Sequence, residues 1–284
     1  MIRKRRLVFY AYRIWALLAL FYSQNAQACG SADSLRVENL LCQAAMLPAD
    51  SNKVLFFAHS LEGKLYQAGT LEAGNREELV VRLDCFDCVT FVETVLALVQ
   101  CNRFGQLSFS AFCKHLQAIR YRDGIIDSYA SRLHYFSDWI WDNTRKHFVY
   151  ERTGELSEKV RKLSLDFMTR HASLYPAFAD PSCLDSMYKV ESRWQNYAMP
   201  YIEKGRLNGL SSELDIRNGD ILALTTSKEG LDVVHVGFAC WVKGKLHLFH
   251  ASSLHGKVLV DSISLFDYLE KKPNHTGVRV ISLF

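Results

Sequence analysis

A cysteine stands directly behind a helix-capping residue and ahead of a long apolar run in Phe86-Asp87-Cys88-Val89-Thr90-Phe91-Val92-Glu93. With Asp87 as N-cap, Cys88 falls in the first helical turn, where unpaired backbone N–H groups and the positive end of the macrodipole favour a thiolate. The helix predicted from Val89 to about Gln100 is interrupted before its last turn only by Thr90, Glu93 and Thr94, so it must be buried. A thiol on the first turn of a buried central helix is held rigidly. That constrains the chain to a fold in which other elements wrap this helix while leaving its N-terminus in reach of a substrate.

A partner for the thiol stands far downstream, in Asp232-Val233-Val234-His235-Val236-Gly237-Phe238-Ala239-Cys240-Trp241. The alternation is that of a strand, with Val234, Val236, Phe238 and Cys240 on one face and His235, Gly237 and Ala239 on the other. A turn at Lys243-Gly244 returns the chain as a second strand over Lys245–Ala251. A two-residue turn pairs Val242 with Lys245, which sets His250 opposite Gly237 and His235 opposite Ser252. The two histidines are then diagonal neighbours, with Cβ atoms roughly 7 Å apart. Cys88, His235 and His250 therefore supply, in chain order, a nucleophile, a base and a group that orients the base. The Cys88 backbone N–H, behind the Asp87 cap, is placed to donate to an oxyanion.

These residues resemble the NlpC-type cell-wall cysteine peptidases, and most closely their amidase-like branch. In that branch Asp-Cys-x-Thr-Phe-Val-Glu carries the nucleophile, and His-Val-Gly followed by His-Ala-Ser carries the histidines. The motifs stand here at Asp87–Glu93, His235–Gly237 and His250–Ser252, and Ser131-Arg132-Leu133-His134-Tyr135 is also similar to a segment of that branch. The likeness runs from about Leu61 to Phe284. It implies a papain-like α+β fold, a Cys-His-His triad and cleavage of the N-acetylmuramoyl-L-alanine amide, without cofactor or metal. An endopeptidase of the same fold cutting after D-glutamate is the nearest alternative, and a catalytically silent wall-binding protein the next.

Blander readings compete at each site. A lone cysteine is usually packing, and Cys85 with Cys88 forms a CxxC that could hold zinc or cycle a disulfide. No second ligand pair follows it, and Cys85 precedes the cap. His59, His115, His147, His171, His247, His255 and His275 read as surface or packing residues. Arg132, His134 and Tyr135 are candidate substrate contacts, as is Ser252: a guanidinium suits a stem-peptide carboxylate and an aromatic ring suits a sugar or peptide group. The competing reading of the first three is an amphipathic helix from Arg132 to about Thr144.

Residues 1–28 have the basic Arg3-Lys4-Arg5-Arg6 start, the short apolar run Ile14–Tyr22 and the small-x-small end Ala26-Gln27-Ala28 of a secretory signal peptide. An exported, periplasmic protein with no transmembrane anchor is expected, with lipid attachment at Cys29 a lesser alternative. The rest, 29–284, reads as one α+β domain: a helix over Ser34–Leu47, strands over Lys64–Leu71 and Glu77–Leu83 with a turn at Gly74-Asn75, a helical insert at about 102–210, then strands from Ile221 onward. Within the insert, helices are predicted at Ser108–Arg120, Arg132–Thr144 and Leu156–His171. Eight cysteines in an exported chain invite disulfides, with Cys29–Cys42 and Cys101–Cys113 the pairs nearest in sequence. A formal charge of +4 makes no case for nucleic acid and is compatible with anionic muropeptides as the partner. Oligomeric state is left open.

Overall fold

A computed structural model describes residues 31–72, 76–208 and 214–284. The leader, Cys29 and the Gly74-Asn75 turn lie outside these residues. The chain opens with α1 (Ser31–Ala45) and α2 (Lys53–Ser60), followed by β1 (Leu65–Tyr66), β2 (Cys85–Phe86), α3 (Cys88–Arg103) and α4 (Phe109–Arg120). The strands predicted over Lys64–Leu71 and Glu77–Leu83 shrink to β1 and no strand. The reason is chemical: Arg120 donates to the Val80 carbonyl at 2.6 Å and the Tyr121 hydroxyl to the Glu78 carbonyl at 2.8 Å. Side chains thus satisfy backbone groups that a neighbouring strand would otherwise pair.

Next come α5 (Phe136–Arg145), β3 (Val149–Glu151), α6 (Thr153–Leu156), β4 (Val160–Leu163), α7 (Phe167–Arg170), α8 (Pro181–Ser192), β5 (Tyr197–Pro200) and β6 (Ile202–Glu203). The helix predicted from Arg132 starts only at Phe136, because Arg132 forms a β-bridge with Tyr121 and the Leu133 N–H donates to the Arg120 carbonyl at 3.0 Å. The helix predicted over Leu156–His171 is replaced by β4, which pairs antiparallel with β5, and by the single turn of α7. A partner strand distant in sequence overrides the local helical spacing. The insert is accordingly mixed, and β3 leaves it to join the main sheet.

The remainder is strand-rich as expected: β7 (Ile221–Thr226), β8 (Val233–Val242), β9 (Lys245–Ser252), β10 (Lys257–Val260), α9 (Leu265–Glu270) and β11 (His275–Leu283). The main sheet runs β2-β1-β10-β9-β8-β7-β11-β3, with β6 also on β11, and only β1 and β2 are parallel. The β8–β9 turn is Lys243-Gly244, both at positive φ (48° and 78°), as a two-residue hairpin turn demands. Both sheet faces are covered, giving an α+β architecture. On one face α3 packs on Ala223, Val236, Phe238 and Phe249, and Phe91 meets the rings of Phe238 and Phe249 at 5.6 and 5.7 Å. On the other, Leu265 and Leu269 of α9 cover Leu222, Leu224, Leu248 and Val280.

Burial of α3 is as deep as its apolar sequence requires, and its one acidic residue is accommodated by an ion pair. Glu93 and Arg120 are each 2% exposed and bond at 2.7 Å. A buried carboxylate without such a partner would cost several kcal/mol. Cys101 is a buried thiol and Cys42 an exposed one, and no disulfide forms among the described residues. No helix among the described residues is long and apolar enough to cross a membrane.

Candidate active site

Asp87 caps α3 in the way its sequence position predicts. Its carboxylate accepts from the Thr90 N–H at 2.8 Å while the Thr90 hydroxyl accepts from the Asp87 N–H at 2.9 Å, a reciprocal capping box. Cys88 is thereby fixed as the first residue of the helix. The backbone N–H groups of Cys88, Val89 and Val236 point at its sulfur. Val236 immediately follows His235, so the thiol sits against the strand that carries the histidine.

The ladder explains why the strand is accessible there. β8 and β9 pair from Val242/Lys245 as far as Phe238/Phe249, the register counted from the sequence, and the paired ladder ends at that point. On its other side β8 is bulged: Leu224 faces His235 but Thr225 faces Val233, leaving Val234 as the extra residue. A bulge re-aims the neighbouring side chain. Across the sheet, Gly237 leaves room for His250; a Cβ there would lie 2.9 Å from the His250 Cβ and 2.7 Å from the Phe249 carbonyl oxygen.

Within this fork the two imidazoles meet at right angles, His235 Nε2 lying 2.5 Å from His250 Nδ1. That bond engages Nε2 of His235 and does not involve its Nδ1. No hydrogen bond joins Cys88 to His235 in the structure; thiol–imidazole bonds in enzymes often tighten only around substrate. The ring of Tyr268 stands over the pair, with centroids 5.7 Å from His250 and 6.4 Å from His235.

A fourth residue extends the chain, and sequence reasoning missed it. Asp261 Oδ2 lies 3.4 Å from His250 Nε2, and both side chains are almost wholly buried. Its other oxygen, Oδ1, accepts from the Ile263 N–H at 3.1 Å, and its own N–H donates to the Leu248 carbonyl at 2.8 Å. The signal was available: Leu259 pairs with His250, so Asp261 is the diagonal neighbour of His250 on the same face, by the same count that joined the histidines.

Electrostatics reverse one sequence expectation. Burial pushes the Cys88 thiol up to about 12, helped by the Asp87 carboxylate, and outweighs the three N–H groups that favour a thiolate. Burial likewise holds His235 down to about 3, aided by the like charge of His250, His275 and Lys272. His250 is held down to about 4 by burial, against the pull of Asp261. The resting site is therefore a neutral thiol beside a neutral imidazole. Alkylation of Cys88 by iodoacetamide, followed by mass spectrometry of the labelled peptide, is expected to be slow at pH 7 and to keep rising tenfold per pH unit well beyond pH 8.5, where an ordinary thiol is half ionised. Cys42 serves as the exposed comparison in the same digest. A rate already at its plateau below pH 8.5 would show a thiolate–imidazolium pair instead.

Of the other predicted contacts, Arg132, His134 and Tyr135 are engaged by partners outside the histidine pair, and Ser252 follows His250 on β9. Arg132 is buried, its guanidinium held by Glu72 at 2.7 Å and Glu77 at 3.4 Å and laid over the Tyr129 ring, so it has no free edge for a substrate carboxylate. Tyr135 is buried and donates to Glu191 at 2.7 Å while accepting from the Met168 N–H. His134 donates from Nε2 to the Tyr129 carbonyl at 2.8 Å and lines a cavity of about 390 Å³ with Tyr129, Tyr135, Phe167 and Tyr175. Ser252 is buried, its hydroxyl 3.1 Å from His255 Nδ1. Cys85 is buried on β2 beside Asp84 rather than on α3.

A comparison with curated proteins finds no match. Among solved structures, an N-acetylmuramoyl-L-alanine amidase from Bacteroides uniformis is 38% identical, with 85% of this chain and 99% of that one covered at a TM-score of 0.78. A Bacteroides fragilis protein provisionally described as a xylanase is 40% identical over 80% of this chain and 99% of that one, with a TM-score of 0.76. A Legionella pneumophila protein of family DUF1460 shares the fold at 22% identity, 89% and 95% coverage and a TM-score of 0.66. The family described as AmiA-like, N-acetylmuramoyl-L-alanine amidase-like, matches residues 57–278. Since that match takes in most of the chain, from α2 to β11 with Cys88, His235, His250 and Asp261 inside it, the chain belongs to the AmiA-like family.

Proposed function

We propose that this chain is an exported peptidoglycan hydrolase that cleaves the N-acetylmuramoyl-L-alanine amide through Cys88, His235 and His250, on a papain-like fold of the NlpC type. The observation that carries the reading is the bond from His235 Nε2 to His250 Nδ1, which leaves His235 Nδ1 as the acceptor for a thiol already resting against Val236. The family and its Bacteroides relative support the substrate class. A glycosidase such as a xylanase works with a pair of carboxyl groups flanking the bond. Here the two carboxylates nearest the thiol and imidazoles are already committed, Asp87 to the cap of α3 and Asp261 to the side of His250.

In the proposed reaction the Cys88 thiol gives its proton to His235 Nδ1 as sulfur attacks the lactyl carbonyl carbon. The carbonyl electron pair moves onto oxygen, where the N–H at the α3 start stabilises it. Collapse of that intermediate breaks the C–N bond, and His235 returns the proton to the departing amine of L-alanine. Water, deprotonated by His235, then cleaves the thioester to a muramic acid carboxylate and free thiol. Throughout, Asp261 holds the proton of His250 on Nε2, so that His250 Nδ1 accepts from His235 Nε2–H and steadies the imidazolium. Incubation with defined muropeptides and mass spectrometry of the products tests this. Release of an intact stem peptide beginning with L-alanine is expected; L-alanyl-D-glutamate left on the sugar would establish the endopeptidase, and no cleavage the silent binder.

A further inference from the structure

We infer that Lys272, Lys228 and His275 form an anion subsite beside the catalytic histidines that holds a carboxylate of the stem peptide on the leaving-group side of the scissile amide. This rests on the hydrolase reading above and adds to it the chemistry by which the substrate is oriented. In that reading the sugar half carries no carboxylate, because its lactyl acid is the amide being cut. A carboxylate bound here therefore belongs to the peptide.

Two segments distant in sequence are locked together to make the subsite. The Asn274 carbonyl accepts from the Ser227 N–H at 2.9 Å and from the Thr226 hydroxyl at 3.0 Å, the Lys228 N–H donates to the Thr226 hydroxyl at 3.2 Å, and the His275 N–H donates to the Lys272 carbonyl at 3.0 Å. The loop between α9 and β11 and the loop after β7 thus present their cations at the same end of the sheet as His235. His275 stands 6.1 Å from Tyr268, whose ring also faces His235 and His250, and the Lys272 ammonium lies 5.9 Å from that ring.

Among the described residues the local charge is unbalanced. Lys204 is neutralised by Glu270 at 3.2 Å, and Glu229 is drawn to Arg170 at 2.9 Å. Neither acid answers Lys272 or Lys228. His275 Nδ1 is a buried polar atom without a partner. An orphan of that kind in a native site calls for an explanation. The surrounding lysines also act on the imidazoles, since burial together with Lys272, Lys204 and Lys228 holds His275 down to about 4. A bound carboxylate accepts from the ammonium groups and from His275 in its Nδ1–H form, and it offsets the positive field that disfavours protonating His235 during the reaction.

Calorimetric titration of the Cys88→Ala protein with a stem tripeptide, L-alanyl-D-glutamyl-diamino acid, tests the subsite without turnover. Carrying a free or an amidated glutamate carboxylate, the two peptides are expected to differ in Kd by roughly tenfold in favour of the free acid, the size of a charge-assisted contact at a partly open site. Lys228→Gln with Lys272→Gln should bring the two Kd values within about twofold, and His275→Asn should narrow the gap in part. Kinetics on the parent enzyme give a second, independent reading: KM should separate the two substrate forms more than kcat does. Equal Kd values in the Cys88→Ala protein, or a preference that survives loss of both lysines, would overturn the subsite. Failure of the wild-type protein to cut either muropeptide while the Kd difference persists would instead overturn the hydrolase reading and leave the subsite standing.

Discussion

Cys88→Ala is expected to lower kcat/KM on a soluble muropeptide by at least about 10⁴-fold, the scale on which losing a covalent nucleophile is felt. The fold should persist, because the change removes one sulfur from the first position of α3 and leaves the Asp87–Thr90 capping box intact. Loss of so small a group costs on the order of 1 kcal/mol. Cys85→Ala is the matched control. Its thiol is also buried and also close to an aspartate, but it lies on β2 ahead of the cap and receives none of the N–H groups that surround the Cys88 sulfur. Activity of the Cys85 variant should stay within a few-fold of wild type. Equal inactivation of the two variants, with metal released from the wild-type protein on denaturation, would replace the thiol mechanism with a metal site built on the CxxC.

How far the sequence reached depends on how local each piece of information is. The Asp87 cap, the buried helix behind it and the β8–β9 register follow from short-range rules of spacing and turn length, and all are found where counting puts them. The segment Arg132–Tyr135 misled for the opposite reason. Its residue types suit a substrate, yet Glu72, Glu77 and Glu191, from other parts of the chain, already occupy Arg132 and Tyr135. His275 was indistinguishable from a surface histidine until β11 brought it beside Tyr268. Burial acts on the Cys88 thiol against the helix start, and only the second of these is visible in sequence, because desolvation is a property of the packed whole. Asp261 is the closest miss: it stands one residue past the end of β10, and the pairing of Leu259 with His250 counts it onto the face of that histidine.

Asp261→Asn tests that group by changing a tautomer rather than a shape. In the present structure Oδ1 accepts from the Ile263 N–H and Oδ2 faces His250 Nε2. Asparagine can keep the first contact only with its amide oxygen, which turns its NH₂ toward His250. The amide then donates, so His250 Nε2 must become an acceptor and the His250 proton must move to Nδ1. That nitrogen can no longer accept from His235 Nε2–H across the 2.5 Å gap. His235 is driven to carry its proton on Nδ1, and the lone pair that should receive the Cys88 proton is lost. Replacing the acid of a serine-protease triad by its amide acts in the same way and lowers kcat by about 10⁴-fold. One histidine further from the nucleophile, and with the carboxylate 3.4 Å from His250 Nε2, the expected loss here is about 10²- to 10³-fold in kcat with KM little changed. The ring nitrogens report the cause directly: ¹⁵N shifts of His250 should show protonation moving from Nε2 to Nδ1 in the variant. Activity within threefold of wild type, or a His250 tautomer that does not move, would reduce Asp261 to a packing residue and leave His250 as the end of the chain.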